Sequence, residues 1–201
     1  MVVSIGGNFD REKALEICKG YFDILENTGF EINPAEAEYH TSMTLLKKDL
    51  MQNQLVMGFP GISLTDKRRE PALLISSILG SASSSRLFQR IREELGLVYS
   101  VDTACVSHLK AGVFIVCMGL SEKSEEKAIG EALKIISDFP ETVTEKELAR
   151  AKEQSVAGFV MNLENVSSRT SRNGRNVLLY NKITTEDEVV NKIRAVTLDE
   201  L

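Results

Sequence analysis

Hydrophobic and polar positions along this chain repeat with two periods, and the switches between them mark out its elements. Val2 to Ile5 reads as a short strand ending at Gly6-Gly7. Asp10 then caps a helix whose apolar residues, Ala14, Cys18, Tyr21, Phe22 and Leu25, follow the three- and four-residue spacing of one helical face. Thr28-Gly29 closes that helix, and Asn33-Pro34 opens a polar stretch. Two strand runs follow, Glu38 to Leu46 and Gln54 to Phe59, the second stopped by Pro60-Gly61.

From Pro71 the period becomes helical, with Leu73, Leu74, Ser77 and Ile78 leading to Gly80. A serine-rich loop, Ser81 to Ser85, runs into a helix over Arg86 to Leu95 with Leu87, Phe88, Ile91 and Leu95 as its apolar stripe. Gly96 stands where a left-handed C-terminal cap belongs. Val98 to Val106 and Gly112 to Gly119 read as a hairpin rich in Val, Ile and Phe, turned by residues 107–110, which makes His108 an exposed turn residue. The rest is helical. Ile129, Ala132, Leu133 and Ile136 mark one helix, and Thr144 with Glu147 makes a capping box for a second, carrying Leu148, Ala151, Ser155, Phe159 and Leu163. Asn165 to Tyr180 forms a third, and Thr185 with Glu188 caps a fourth. Strands without regular βαβ alternation, with helices grouped around them, predict an α+β fold: an antiparallel sheet of four or more strands packed against several helices. No repeat, low-complexity segment or linker interrupts residues 1–201, which read as a single α+β domain.

Composition narrows the classes. The 201 residues carry 24 Lys plus Arg against 29 Asp plus Glu, a formal charge of −5, and that balance argues against nucleic acid as a partner. The longest apolar run, Ala111 to Leu120, has ten residues where a membrane helix needs about 18. The start carries no basic segment or cleavage pattern of a secretory signal, and the expected location is cytoplasmic. Cys18, Cys105 and Cys117 are too widely spaced for a metal knuckle and read as reduced thiols. His40 and His108 are not arranged as H-x-x-E-H, so no metal ligands are assigned. Phosphate-binding glycine loops and the G-x-S-x-G elbow are also missing. Asn165-Val166-Ser167 fits a glycosylation sequon and Leu198 to Leu201 faintly resembles a retention tail; without a signal peptide both read as chance.

The informative stretch is Gly80 to Ser100. Arg92 lies at the border of the apolar stripe, and Tyr99 follows the Gly96 turn early in a strand, so both can project to one edge of the domain. A guanidinium offers planar donors for a carbonyl or carboxylate, and a phenol offers one donor for a developing oxyanion. The plainer alternative pairs Arg92 with a nearby Glu and puts Tyr99 in the core. The Ser83-Ser84-Ser85 run reads as a cap for the helix from Arg86. Arg169, Arg172 and Arg175 share a helical face, either solvated or directed at a partner's acidic residues.

The same stretch resembles the C-terminal signature of the pitrilysin/insulinase/mitochondrial-processing-peptidase family of zinc metallopeptidases, in its Ser84-Ser85-Arg86-Leu87-Phe88, Arg92-Glu93 and Gly96-Leu97-Val98-Tyr99-Ser100. Val2 to Asp10, Gln54 to Gly61 and Asn162 to Gly174 are similar to further segments of bacterial processing-protease-like members. The resemblance implies a metalloenzyme half-domain of the LuxS/processing-peptidase type, here the second, non-zinc domain of a larger peptidase, truncated at both ends. Zinc in the parent enzyme would be bound by an N-terminal domain with an inverted H-x-x-E-H motif, and none of those residues occurs here. What carries over is Tyr99, as the catalytic donor to the tetrahedral oxyanion, and Arg92, as a holder of a substrate backbone carbonyl; Tyr99 counts as substrate-binding too. The implied partners are the N-terminal zinc domain and a peptide substrate, and a homodimer through an exposed docking surface stands beside them. The chain alone should be inactive. Two other readings stay open: a non-catalytic scaffold or regulatory subunit of the same family, and an unrelated α+β binding module.

Overall fold

A computed structural model describes residues 1–26, 29 and 37–201, and their contacts group into two units. The larger comprises Ala35–Ala157 with Val190–Leu201, and the smaller Met1–Pro34 with Gly158–Val189.

The larger unit is built on three antiparallel strands, β1 (Asn53–Pro60), β2 (Val98–Ser107) and β3 (Gly112–Leu120), in the order β1-β3-β2. Their period of two sends Met57, Val101, Val116, Met118 and Leu120 to one face, where they join the core. Helix α2 (Arg69–Leu79) adds Leu74 and Ile78 to that core. Helices α3 (Glu125–Thr142) and α4 (Glu145–Glu164) add Ala128, Ala132, Leu148 and Ala151. The Thr144–Glu147 capping box is present, with Glu147 accepting from the Thr144 amide at 3.0 Å and the Glu147 amide donating to Thr144 Oγ1 at 3.3 Å. The hairpin turn also falls as the sequence predicts, with His108 exposed and its amide donating to Ala111 O at 2.8 Å.

The smaller unit holds α1 (Arg11–Phe22), α5 (Val166–Tyr180), α4 from Gly158 onward and the first residues of α6 (Glu186–Ala195). Both predicted caps form, Asp10 accepting from the Lys13 amide at 3.0 Å and Thr185 from the Glu188 amide at 3.2 Å, and the structure adds one at Asn165, which accepts from the Ser167 amide at 2.8 Å. The predicted apolar face of α1 is largely uncovered, since Ala14 and Cys18 are half-buried while Tyr21 and Leu25 are exposed. Periodicity named the face, but the described residues of this unit cover it only in part; Leu163 is the one fully buried apolar residue of the unit among those described. The Thr28 and Asn33-Pro34 signals lie outside the described residues.

The sheet therefore has three strands among the described residues, where the sequence predicts four or more. Val2 to Ile5 forms no ladder. The Ser4 hydroxyl donates to the Thr170 carbonyl of α5 at 2.7 Å, and a helix has no free backbone row to pair with a strand. Glu38 to Leu46 is exposed and likewise pairs with no strand among the described residues, and the Tyr39 hydroxyl links it to the sheet by donating to Gly58 O at 2.7 Å. Strand propensity in both runs is real, but a strand exists only where a second backbone completes its hydrogen bonds.

Candidate functional site

Residues 86–100 fold as helix, glycine turn and strand, in the predicted order, but with two irregularities. The first is in the helix. After one α-helical step at Arg86-Leu87 the backbone widens into a π-helix over Phe88–Glu94, and the Leu95 amide reaches back five residues to Arg90 O at 3.1 Å. Such widened turns are rare and concentrate at functional sites. Gly96, at φ +60°, then closes the helix in the left-handed conformation, and the Leu97 amide donates to Ile91 O at 2.9 Å. The second is at the start of β2, where Val98 faces Leu120 and Ser100 faces Gly119, leaving Tyr99 as an extra residue with no partner. That bulge puts two consecutive exposed residues, Tyr99 and Ser100, between buried Val98 and Val101. The Tyr99 side chain is 64% exposed.

The arginines of this helix divide by partner. Arg86 forms a two-pronged pair with Glu147, at 2.7 Å and 2.8 Å, donates to Thr142 Oγ1 and O at 2.7 Å each, and lies 5.2 Å from the Phe139 ring centre. The Arg86 guanidinium beside it holds the Glu147 carboxyl down to about 2, against an ordinary 4.5. Arg90 pairs with Glu94 at 2.7 Å and Glu131 at 3.3 Å. Arg92 alone of the three has no carboxylate partner among the described residues. Its guanidinium instead stacks 4.5 Å from the centre of the Phe88 ring, about one helical turn back. A stacked guanidinium keeps its in-plane N–H groups available while the ring covers one face.

Both parts of the plainer alternative for these two residues are thereby overturned: Arg92 pairs with no Glu among the described residues, and Tyr99 is outside the core. Sequence reasoning missed the stacking and the bulge. The first had a signal, because Phe88 and Arg92 are four residues apart; the second had none, because register is set across strands. The serine run does not cap as predicted. Ser85 Oγ is buried with no hydrogen-bond partner among the described residues, and only the Ser85 carbonyl is engaged, by the Gln89 amide at 2.9 Å. Of the α5 arginines, Arg169 meets Glu186 at 3.7 Å and Arg172 donates to Thr184 O at 2.9 Å while lying 5.1 Å from the Phe159 ring centre, so both are engaged within the chain; Arg175 is exposed. No three His, Cys, Asp or Glu side chains among the described residues come together as metal ligands, so the residues present do not fit a zinc site. No helix among them is long and apolar enough to cross a membrane.

Known proteins share this fold. A protease from Helicobacter pylori superimposes with a TM-score of 0.77 at 17% identity, over 97% of this chain and 49% of that one. A chain of Complex III2 from Candida albicans superimposes at 0.83 and 22% identity, over 96% of this chain and 48% of that one. These likenesses assign the mixed helix-and-sheet fold. The uncharacterized zinc protease YmxG of Bacillus subtilis is 33% identical over the whole of this chain and 49% of its own length. An uncharacterized zinc protease of Rickettsia felis is 30% identical over the whole chain and 49% of its own length. Residues 1–155 match the family described as the peptidase M16 inactive domain. The chain belongs to that family of zinc peptidases, as its inactive domain. It spans about half the length of the curated relatives it matches.

Proposed function

We propose that this chain is the substrate-side, C-terminal domain of a zinc-dependent endopeptidase, closing a chamber in which peptides are hydrolysed. Zinc and the water-activating base would belong to an N-terminal domain of the same protein, and this chain alone would be inactive. The observation that carries the reading is the pairing of a stacked Arg92 without a carboxylate partner and an exposed, bulge-borne Tyr99 on the two sides of the Gly96 turn. The Arg92 guanidinium donates to a substrate main-chain carbonyl. The Tyr99 hydroxyl donates to the oxygen that gains negative charge as the scissile carbonyl becomes tetrahedral. Membership in the inactive-domain family and relatives of twice the length support the division of labour.

The test is peptide cleavage with added zinc by the intact protein, by this 201-residue chain and by an Arg92→Ala form of the intact protein. Cleavage by the intact protein but not by the chain is expected. Arg92→Ala should raise KM about tenfold, the effect of one charged hydrogen bond. An intact protein that neither binds zinc nor cleaves peptides would instead mark a scaffold or regulatory subunit.

A further inference from the structure

The bulge that turns Tyr99 outward turns Ser100 outward with it, and Ser100 opens onto an unusual spot in the sheet. The β1 and β3 registers place Gln54 opposite Gly119, and the β2 and β3 registers place Gly119 opposite Ser100, so the three form one row across the sheet. Gly119 contributes no side chain to that row, and its neighbours close in over the bare backbone. A methyl group added there would lie 2.8 Å from Ser100 Oγ, 3.2 Å from Gln52 Oε1 and 3.5 Å from Gln54 Nε2. Three neutral polar side chains thus converge over Gly119, in the space that a Cβ there would need. Ser100 and Gln54 are exposed and Gln52 is half-buried, and none of their side chains has a hydrogen-bond partner among the described residues. The group supplies a hydroxyl, amide N–H donors and amide carbonyl acceptors, and carries no charge. That chemistry complements a peptide unit, with one N–H to give and one carbonyl to accept, better than it does an ion.

We propose that Ser100, Gln52 and Gln54 form a subsite over Gly119 that holds one main-chain amide of the peptide substrate next to the bond positioned by Tyr99. The proposal rests on the reading of Tyr99 and Arg92 given above and extends it: it assigns the binding of a neighbouring peptide unit to uncharged groups. Ser100 follows Tyr99 directly, so their Cα atoms are about 3.8 Å apart, close to the spacing of successive residues in an extended peptide. A substrate lying along this edge can therefore engage both at once. The subsite reads the peptide backbone rather than a side chain, so it favours extended segments without selecting a residue type.

The probe is a fluorescein-labelled synthetic peptide of alanine, serine and leucine. It is titrated into the chelator-treated intact protein by anisotropy, so that cleavage plays no part. Ser100→Ala and Gln54→Leu should each weaken binding about three- to tenfold, the worth of one neutral hydrogen bond, with melting temperature unchanged because both residues are exposed. A set of probes, each with one main-chain amide replaced by an ester, identifies the unit held. One ester probe should bind wild type about three- to tenfold more weakly than the parent, yet bind the Ser100→Ala/Gln54→Leu double variant as the parent does. Binding by both single variants within about twofold of wild type overturns the subsite. Arg92→Ala and Tyr99→Phe, measured in parallel for binding and turnover, separate the two claims. If they are impaired while the subsite variants are not, the subsite alone falls. If they too match wild type, or if wild type binds none of the probes, the reading beneath it falls as well.

Discussion

Replacing Tyr99 by Phe in the intact protein should lower kcat for peptide hydrolysis about 10²-fold while leaving KM nearly unchanged. The split follows from when the hydroxyl acts. A donor aimed at an oxygen that becomes charged only in the transition state stabilises that state and not the bound substrate. The ring itself is 64% exposed and sits on a bulge, so its packing contributes little and Phe preserves it. Fold and stability should be those of wild type, and a circular dichroism melt of the variant checks that control. Steady-state kinetics with a quenched fluorescent peptide provides the main reading. A variant that cleaves at the wild-type rate would remove Tyr99 from the chemistry.

Arg86→Met should destabilise the domain by about 2 kcal/mol near neutral pH. Arg86 and Glu147 are each 19% exposed, and the guanidinium also holds the Thr142 hydroxyl and carbonyl at the junction of α3 and α4. Removing the cation strands a largely covered carboxylate and frees the start of the helix that presents Arg92. The pH dependence has a definite sign. The Glu147 carboxyl is held down to about 2 in the folded chain against an ordinary 4.5, so the pair's contribution is fully present above about 4.5 and is lost as pH falls towards 2. Wild type should therefore lose stability across that window more steeply than Arg86→Met, whose Glu147 keeps only the Thr144 hydrogen bonds to hold its carboxyl down. Urea denaturation at several pH values compares the two slopes, and equal slopes would show that the pair is not coupled to folding.

Local signals made much of this protein legible in its sequence. The caps at Asp10, Thr144 and Thr185, the left-handed Gly96 and the β2–β3 hairpin are each governed by a few neighbouring residues, and each forms where its pattern lies. The Ser84 to Ser100 motif also pointed to Arg92 and Tyr99 and to the family. Where a side chain's partner is distant in sequence, the pattern ran out. Glu38 to Leu46 has strand composition but no ladder beside it, and Ser85 was suited to cap a helix yet turned inward. Arg92 lies beside Glu93 and Glu94 in the chain and meets neither, because the π-helix and the Phe88 ring direct it elsewhere.

What the sequence determined by itself is which segments become helix, turn and hairpin, and which residue types stand on the two sides of the Gly96 turn. These follow from backbone propensity, caps and residue type, all set within a few positions of one another. Only the tertiary structure decided how many strands pair, that Tyr99 and Ser100 face outward together, and that Gln52, Gln54 and Ser100 meet over Gly119. Those outcomes depend on the register between strands far apart in the chain, where shifting the pairing by one residue moves every side chain to the opposite face.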